Sequence, residues 1–241
     1  MVNLEKKLAD AIRHFWVVRA SQQANQGTKT GQKDAGERSA VTGGKHGDGF
    51  IALVSAVLRD GGLEDAEIFV RRNTLPCYFR PSKDWDLVAK VGDDLVAVVE
   101  VKAHVGSFGN NFNNRVEEAL GSASDFWSAY SKGTFKPSAR PWLGYLLMLE
   151  NAPASMCKSK QKVLPHYPMR DEFQGVSYCR RYEIFCERLV RERFYDATCF
   201  LISDRVGGKS GKYTEPNAEL GIRNFAASLS ARAHAYAKLR S

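Results

Sequence analysis

The stretch from Trp85 to Ala103 constrains the fold of this chain more than any other. Two β-prone runs, Trp85–Val91 and Leu95–Ala103, flank the turn-forming Gly92-Asp93-Asp94, and this pattern predicts a β-hairpin. The second run is rich in valine and is predicted to be buried, yet it carries Glu100 and Lys102. If the turn centres on Asp93, Asp86 lies as far before the centre as Glu100 lies after it. The two carboxylates then face each other across the ladder, with Cβ atoms roughly 5 Å apart. Opposed carboxylates repel. A fold keeps such a pair when something neutralises it, and a hard divalent cation with oxygen ligands is the usual answer. Lys102 projects to the same face as Glu100 because side chains alternate along a strand, and Val98, Val99 and Val101 are left to build the core.

Hydrolysis of a phosphodiester is the chemistry that needs this set. A Mg²⁺ held by Asp86, Glu100 and a nearby carbonyl, that of Val101, would polarise the phosphate and acidify a water. Lys102 would orient that water and offset charge building on phosphorus. Spacing alone fits solvated charges on an exposed strand equally well, and the valine-rich setting is what favours a site.

The rest of the chain bounds the context. Its 241 residues are 44% hydrophobic, enough for a sizeable core, which excludes whole-chain disorder. The 35 Lys+Arg against 27 Asp+Glu give a formal charge of +8, and the surplus gathers in the last third, so a polyanionic partner is expected. Five scattered cysteines, without C-x-x-C spacing, argue against a disulfide framework or a zinc knuckle and point to a reducing cytoplasm. No segment looks like a signal peptide or a membrane span, so a soluble cytoplasmic protein is expected.

Apolar periodicity predicts helices from Leu4 to about Gln22, from Asp48 to Gly61, over Val116–Tyr130, over Tyr178–Arg191 and from about Glu219 to Leu239. Strands are predicted at Glu67–Arg71, in the hairpin, at Trp142–Glu150 and at Ala197–Ser203. The order α-α-β-β-β-α-β-α-β-α gives an α/β fold with a mixed central sheet flanked by helices. It reads as a single domain over residues 1–241, with a mobile polar loop at 27–47 and a catalytic core at 48–203.

Several residues outside the hairpin are candidates. Asp48 fits the N-cap of the second helix. Glu117 and Glu118 follow Asn113-Asn114 at capping spacing and are read as helix-capping groups. Phe108–Arg115 follows the predicted catalytic strand and reads as a Gly/Asn-rich loop. There Asn110, Asn111 and Asn113 could pair with adenine, and Arg115 with guanine or a phosphate. A Gly/Asn turn with a helix cap is the alternative. Lys29, Lys33, Arg38, Lys45, Lys158, Lys160 and Lys162 suit phosphate contact, and the five histidines share no metal spacing.

The triad Asp86…Glu100-Val101-Lys102 resembles that of the PD-(D/E)XK nuclease superfamily, although Trp85 stands where that motif has proline. The run from Leu75 to Ala123 is similar to the core of the XhoI family of type II restriction endonucleases. Gly36–Phe50 and Gly175–Ser203 extend the resemblance over most of the chain. It implies a PD-(D/E)XK-like core of α-β-β-β-α-β-α-β order with extra N-terminal and C-terminal helices, and an accessory acidic group near the metal, Asp48, as the alternative to a plain N-cap. It also implies a Mg²⁺-dependent homodimer that cuts double-stranded DNA at a short palindrome, CTCGAG in the founding members, leaving 5′ overhangs. A cognate DNA methyltransferase is then expected in the same cell, though not as a bound subunit. A structure-specific or repair nuclease on the same fold, and a catalytically silent DNA-binding module, remain as alternatives.

Overall fold

A computed structural model of the chain describes residues 3–26, 45–160 and 163–239. Residues 27–44 of the predicted mobile loop, with Lys29, Lys33 and Arg38, lie outside the described residues, as does Lys162.

The fold is mixed α/β, built on a five-stranded sheet of order β1-β4-β5-β6-β7. These strands are β1 (Ile68–Phe69), β4 (Leu87–Val91), β5 (Asp94–His104), β6 (Trp142–Glu150) and β7 (Ala197–Ser203). Strands β1, β4 and β5 pair antiparallel, whereas β5, β6 and β7 run parallel. All nine residues of β6 are buried, as its near-continuous apolar sequence requires of a parallel strand covered on both faces.

Alternation along the strands sorts side chains into two layers. Leu87, Val99, Leu146 and Leu201 pack with α1 (Leu4–Gln26), α2 (Asp48–Asp60) and α6 (Ile222–Leu239). Val88, Val98, Leu147 and Phe200 pack with α3 (Phe108–Ser131) and α5 (Tyr178–Arg191). Each covering helix brings an apolar stripe at helical spacing: Leu8, Ile12 and Phe15 from α1, and Phe225, Leu229 and Ala233 from α6. Among the described residues no helix is long and apolar enough to cross a membrane.

The hairpin forms, but by a route other than the predicted one. Its turn has two residues, with Gly92 at a φ of 57°, a left-handed value that glycine adopts without strain, and Asp94 already belongs to β5. That turn pairs Val91 with Asp94 and Lys90 with Leu95, a register that would place Asp86 opposite Val99. A bulge between Ala89 and Lys90 takes up one extra residue of β5, after which Ala89 faces Ala97 and Leu87 faces Val99. Val96 and the adjacent Ala97 accordingly both turn into the α1/α2/α6 layer. The bulge thus restores the parity that sets Asp86 against Glu100.

Three further differences have local causes. A two-stranded unit, β2 (Thr74–Pro76) paired with β3 (Ser82–Asp84), precedes β4, and its short polar segments gave no alternation to read. The first predicted strand shrinks to the two residues of β1. Helix α3 begins at Phe108 rather than Val116, because Phe108 and Phe112 pack against Tyr178 and Tyr182 and outweigh the weak helix propensity of Gly and Asn. Glu117 and Glu118 are therefore inside the helix rather than at its start. A short helix α4 (Pro153–Met156) completes the set.

The tip of the β2–β3 unit is tied to α3 by one carboxylate. Asp125 Oδ1 accepts from the Tyr78 and Phe79 N–H groups, each at 2.8 Å, and Oδ2 accepts from Arg80 Nε at 2.8 Å. Asp125→Ala leaves two backbone donors without an acceptor and is expected to cost about 1–3 kcal/mol in urea denaturation. Asp125→Asn keeps one acceptor oxygen and is expected to lose a smaller share. A change within about 0.5 kcal/mol for Asp125→Ala would show that the tip does not depend on this grip.

Candidate active site

The site lies where β4 ends and the edge of β5 is left open. The chain bends at Asp86, just before β4, so that the side chain rather than the backbone meets the edge of β5: Asp86 Oδ2 accepts from the Val101 N–H at 2.7 Å. The N–H and C=O of one strand residue point the same way, so the Val101 carbonyl faces the same gap. Upstream, the carbonyl of Trp85 accepts from the Asn73 side chain and its N–H donates to the Asn73 carbonyl at 3.2 Å. The Trp85 ring is buried edge-on against Phe126 at 5.5 Å. These contacts fix the bend.

Glu100 follows Val98 onto the face covered by α3 and α5 and is 4% exposed. Its Oε1 is paired with Lys102 Nζ, and Lys83 Nζ of β3 lies 2.9 Å from Oε2. Burial and then the neighbouring Glu100 raise the pKa of Asp86 above the usual carboxylate range. Burial works against the ammonium of Lys102, but Glu100 and Asp86 outweigh it, and the pKa of Lys102 is raised. The structure therefore brings Asp86, Glu100, Val101 and Lys102 together.

This donor set fits a hard divalent cation. Glu100 Oε2 is buried and accepts no aligned hydrogen bond, a second carboxylate, Asp86, stands close enough to interact with it, and a main-chain carbonyl adjoins both. Among the described residues no third His, Cys, Asp or Glu joins them. Asp48 is thus not part of the cluster. It is exposed in the first turn of α2, where Gly47 rather than Asp48 takes the N-cap position.

Sequence reasoning missed Lys83. Its strand is three residues long and polar, so the only available signal was its position three residues before Asp86.

The predicted DNA-contacting segment is helical. Asn113 and Asn114 are exposed, Asn111 is half-buried, and Asn110 lies in the first turn. Arg115 is half-buried and ion-paired with Glu118 at 2.5 Å. The start of this helix is held by Glu150, whose Oε2 accepts from the Gly106 N–H at 2.9 Å while Oε1 pairs with Arg205. Just ahead of it, His104 closes β5, buried against the Phe108 ring with its Nδ1 bonded to the Tyr182 hydroxyl.

Comparisons with known proteins converge. The family profile described as "Restriction endonuclease XhoI" matches residues 26–215. The type II restriction enzyme BstVI of Geobacillus stearothermophilus is 48% identical over 204 residues, covering 82% of this chain and 91% of the relative. The type II restriction enzyme XhoI of Xanthomonas vasicola is 42% identical over 190 residues, covering 76% and 74%. The type II restriction enzyme AbrI of Azospirillum brasilense is 44% identical over 170 residues, covering 69% and 75%. No solved structure matches.

His104 supplies a pH test of the site's frame. Burial, then the nearby Arg115, lowers its pKa from 6.5 to about 4. A histidine depressed in the folded state takes up its proton more readily when unfolded. Its contribution is therefore intact above pH 6.5 and lost as the pH falls towards 4. Denaturant titrations are expected to lose about 3 kcal/mol from this group across that window. His104→Gln should flatten the slope there, and an unchanged slope would place the titration elsewhere.

Proposed function

Because the chain belongs to the XhoI family of type II restriction endonucleases, we propose that it makes Mg²⁺-dependent double-strand cuts in DNA at a short palindrome. The motif resemblance assigns that palindrome as CTCGAG, cut to leave 5′ overhangs. The observation that carries the reading is the pairing of Asp86 with Glu100 at an open strand edge, with Lys102 on the same carboxylate. The strand order, antiparallel in β1, β4 and β5 and then parallel through β6 and β7, supports a PD-(D/E)XK assignment for one domain with its core at 48–203.

Asp86, Glu100 and the Val101 carbonyl would hold the ion. When bound, Mg²⁺ supplies Lewis-acid polarisation of the scissile phosphate and lowers the pKa of an attacking water. Lys102 orients that water and, as a cation fixed by Glu100, stabilises charge that grows on phosphorus in the transition state. Asn110, Asn111, Asn113 and Arg115 are assigned to DNA contact. Exposed Asn113 is best placed to reach a base edge, and Arg115 would have to exchange Glu118 for a phosphate or guanine. A palindrome presents its half-site twice and one site attacks one strand, so the working form is a two-fold homodimer. A repair nuclease or silent binding module is disfavoured by relatives that are all named type II restriction enzymes.

Digestion of a plasmid of known sequence, with mapped ends, tests the whole reading. Discrete fragments whose ends fall within CTCGAG sites are expected, whereas nicks alone or no cutting with any divalent ion would overturn it. Asp86→Asn and Glu100→Gln are expected to abolish cleavage while near-normal gel-shift affinity survives in Ca²⁺. Lys102→Ala should retain affinity and lose at least ~10² in rate. Full cutting by Lys102→Ala would return the three to ordinary strand charges. Light scattering with DNA bound should give a protein mass near twice 26.9 kDa. Asn113→Ala should cost ~1–3 kcal/mol on the cognate site with little change on random DNA, and an equal loss on both would make α3 a backbone clamp.

A further inference from the structure

A buried pair of carboxylates has to be neutralised even before any metal arrives. Two ammonium groups do this here. Lys102 holds Glu100 Oε1 from the same strand, and Lys83 reaches Oε2 at 2.9 Å from β3, a strand outside the main sheet. Asp86, Glu100, Lys83 and Lys102 sum to zero formal charge. Adding a divalent ion while both lysines stay would leave a partly buried excess of two positive charges, which the low local dielectric makes costly. One phosphodiester brings a single negative charge, so at least one ammonium has to give way.

The two lysines are not equivalent. Lys102 is fixed by β5 two residues from Glu100. Lys83 comes from a strand outside the main sheet, and its Nζ, while 2.9 Å from Glu100 Oε2, also lies 4.6 Å from the centroid of the Trp85 ring and 3.2 Å from the Asp84 carbonyl. Asp125 anchors the tip of the β2–β3 unit that carries Lys83, and the long lysine side chain is the movable part of that contact.

We propose that Lys83 is a positioning residue that stands in for the metal at Glu100. In the DNA-free protein its ammonium occupies the cation position beside Oε2, steadies the carboxylate next to Asp86, and turns to the incoming phosphate when metal and DNA bind together. The consequence is regulatory: Lys83 competes with metal until a scissile phosphate is present, so the site loads fully only on its substrate. This rests on the metal-binding role given above to Asp86 and Glu100.

The test is metal binding rather than cleavage. Calorimetric titration of the DNA-free full chain with Mn²⁺ and with Mg²⁺ compares wild type, Lys83→Met and Lys83→Arg, with Lys83→Gln in reserve if the Met variant does not fold. Lys83→Met is expected to bind Mn²⁺ ~10-fold or more tightly than wild type, since a competing charge is gone. It should also unfold at a lower temperature without metal and recover at saturating Mn²⁺. Lys83→Arg should keep the weak binding and the wild-type unfolding temperature. Equal or weaker Mn²⁺ affinity in Lys83→Met, while wild type binds Mn²⁺ once cognate DNA is added, would overturn the role of Lys83 alone. No metal binding by any form, with DNA or without it, would overturn the metal reading and this proposal with it.

Discussion

Mutual repulsion between Asp86 and Glu100 is the constraint around which this part of the molecule is organised. Each unusual local feature supplies either the geometry that brings the pair together or the charge that makes it tolerable. The β5 bulge sets the parity, Asn73 and buried Trp85 fix the bend, and the Val101 N–H takes one oxygen of Asp86. Lys102 and Lys83 take the two oxygens of Glu100. Without these partners the desolvation of two carboxylates would cost several kcal/mol each, a large share of the stability of a domain.

That local cost is borne by a frame with little freedom. β6 is buried along its whole length, and the parallel β5-β6-β7 segment is covered on one face by α3 and α5 and on the other by α1, α2 and α6. A strand so enclosed is held in register by close packing, because a one-residue slip would exchange side chains of different size between two filled core layers. Glu100 and Lys102 are paired with Tyr145 and Leu147 of β6, and so inherit the rigidity of the most buried strand. Rigid placement of a first layer of charged groups on a strand is what a preorganised site needs.

The sequence made parts of this legible for physical reasons. Strands at Trp142–Glu150 and Ala197–Ser203, and the helix at Tyr178–Arg191, coincide with β6, β7 and α5 because burial on both faces, or a strong apolar stripe, leaves a plain periodic trace. The facing of Asp86 and Glu100 was reached through a three-residue turn that does not exist. A two-residue turn and a bulge restore the same parity, and the alternation of Val, Ala and Leu on both strands carries no mark of the difference. Lys83 was invisible because the β2–β3 unit is held by Asp125, 45 to 47 residues beyond the groups it binds, rather than by its own pattern. The N-cap was expected at Asp48, one position later than Gly47, which has no side chain to signal a cap.

The start of α3 is the difference with the largest functional consequence. Glycine and asparagine signal a loop locally, yet Phe108 and Phe112 at i and i+4 bury themselves against α5 and extend the helix over the whole segment. A loop could have offered its asparagines in any direction. In a helix, Asn111 and Arg115 are also four residues apart, share a side and are both half-buried, while Asn113 and Asn114 fall on the exposed side. Glu150 locks the approach to this helix through the Gly106 N–H, and His104 locks the end of β5 through Tyr182. The exposed asparagines are therefore held at a set distance along one continuous path, β5 to Gly106 to α3, from the carboxylates. On the proposed reading, a base-edge contact by α3 would fix which phosphate lies over Glu100 through this covalent path, and a shift of the helix by one turn would move that phosphate by about 5 Å.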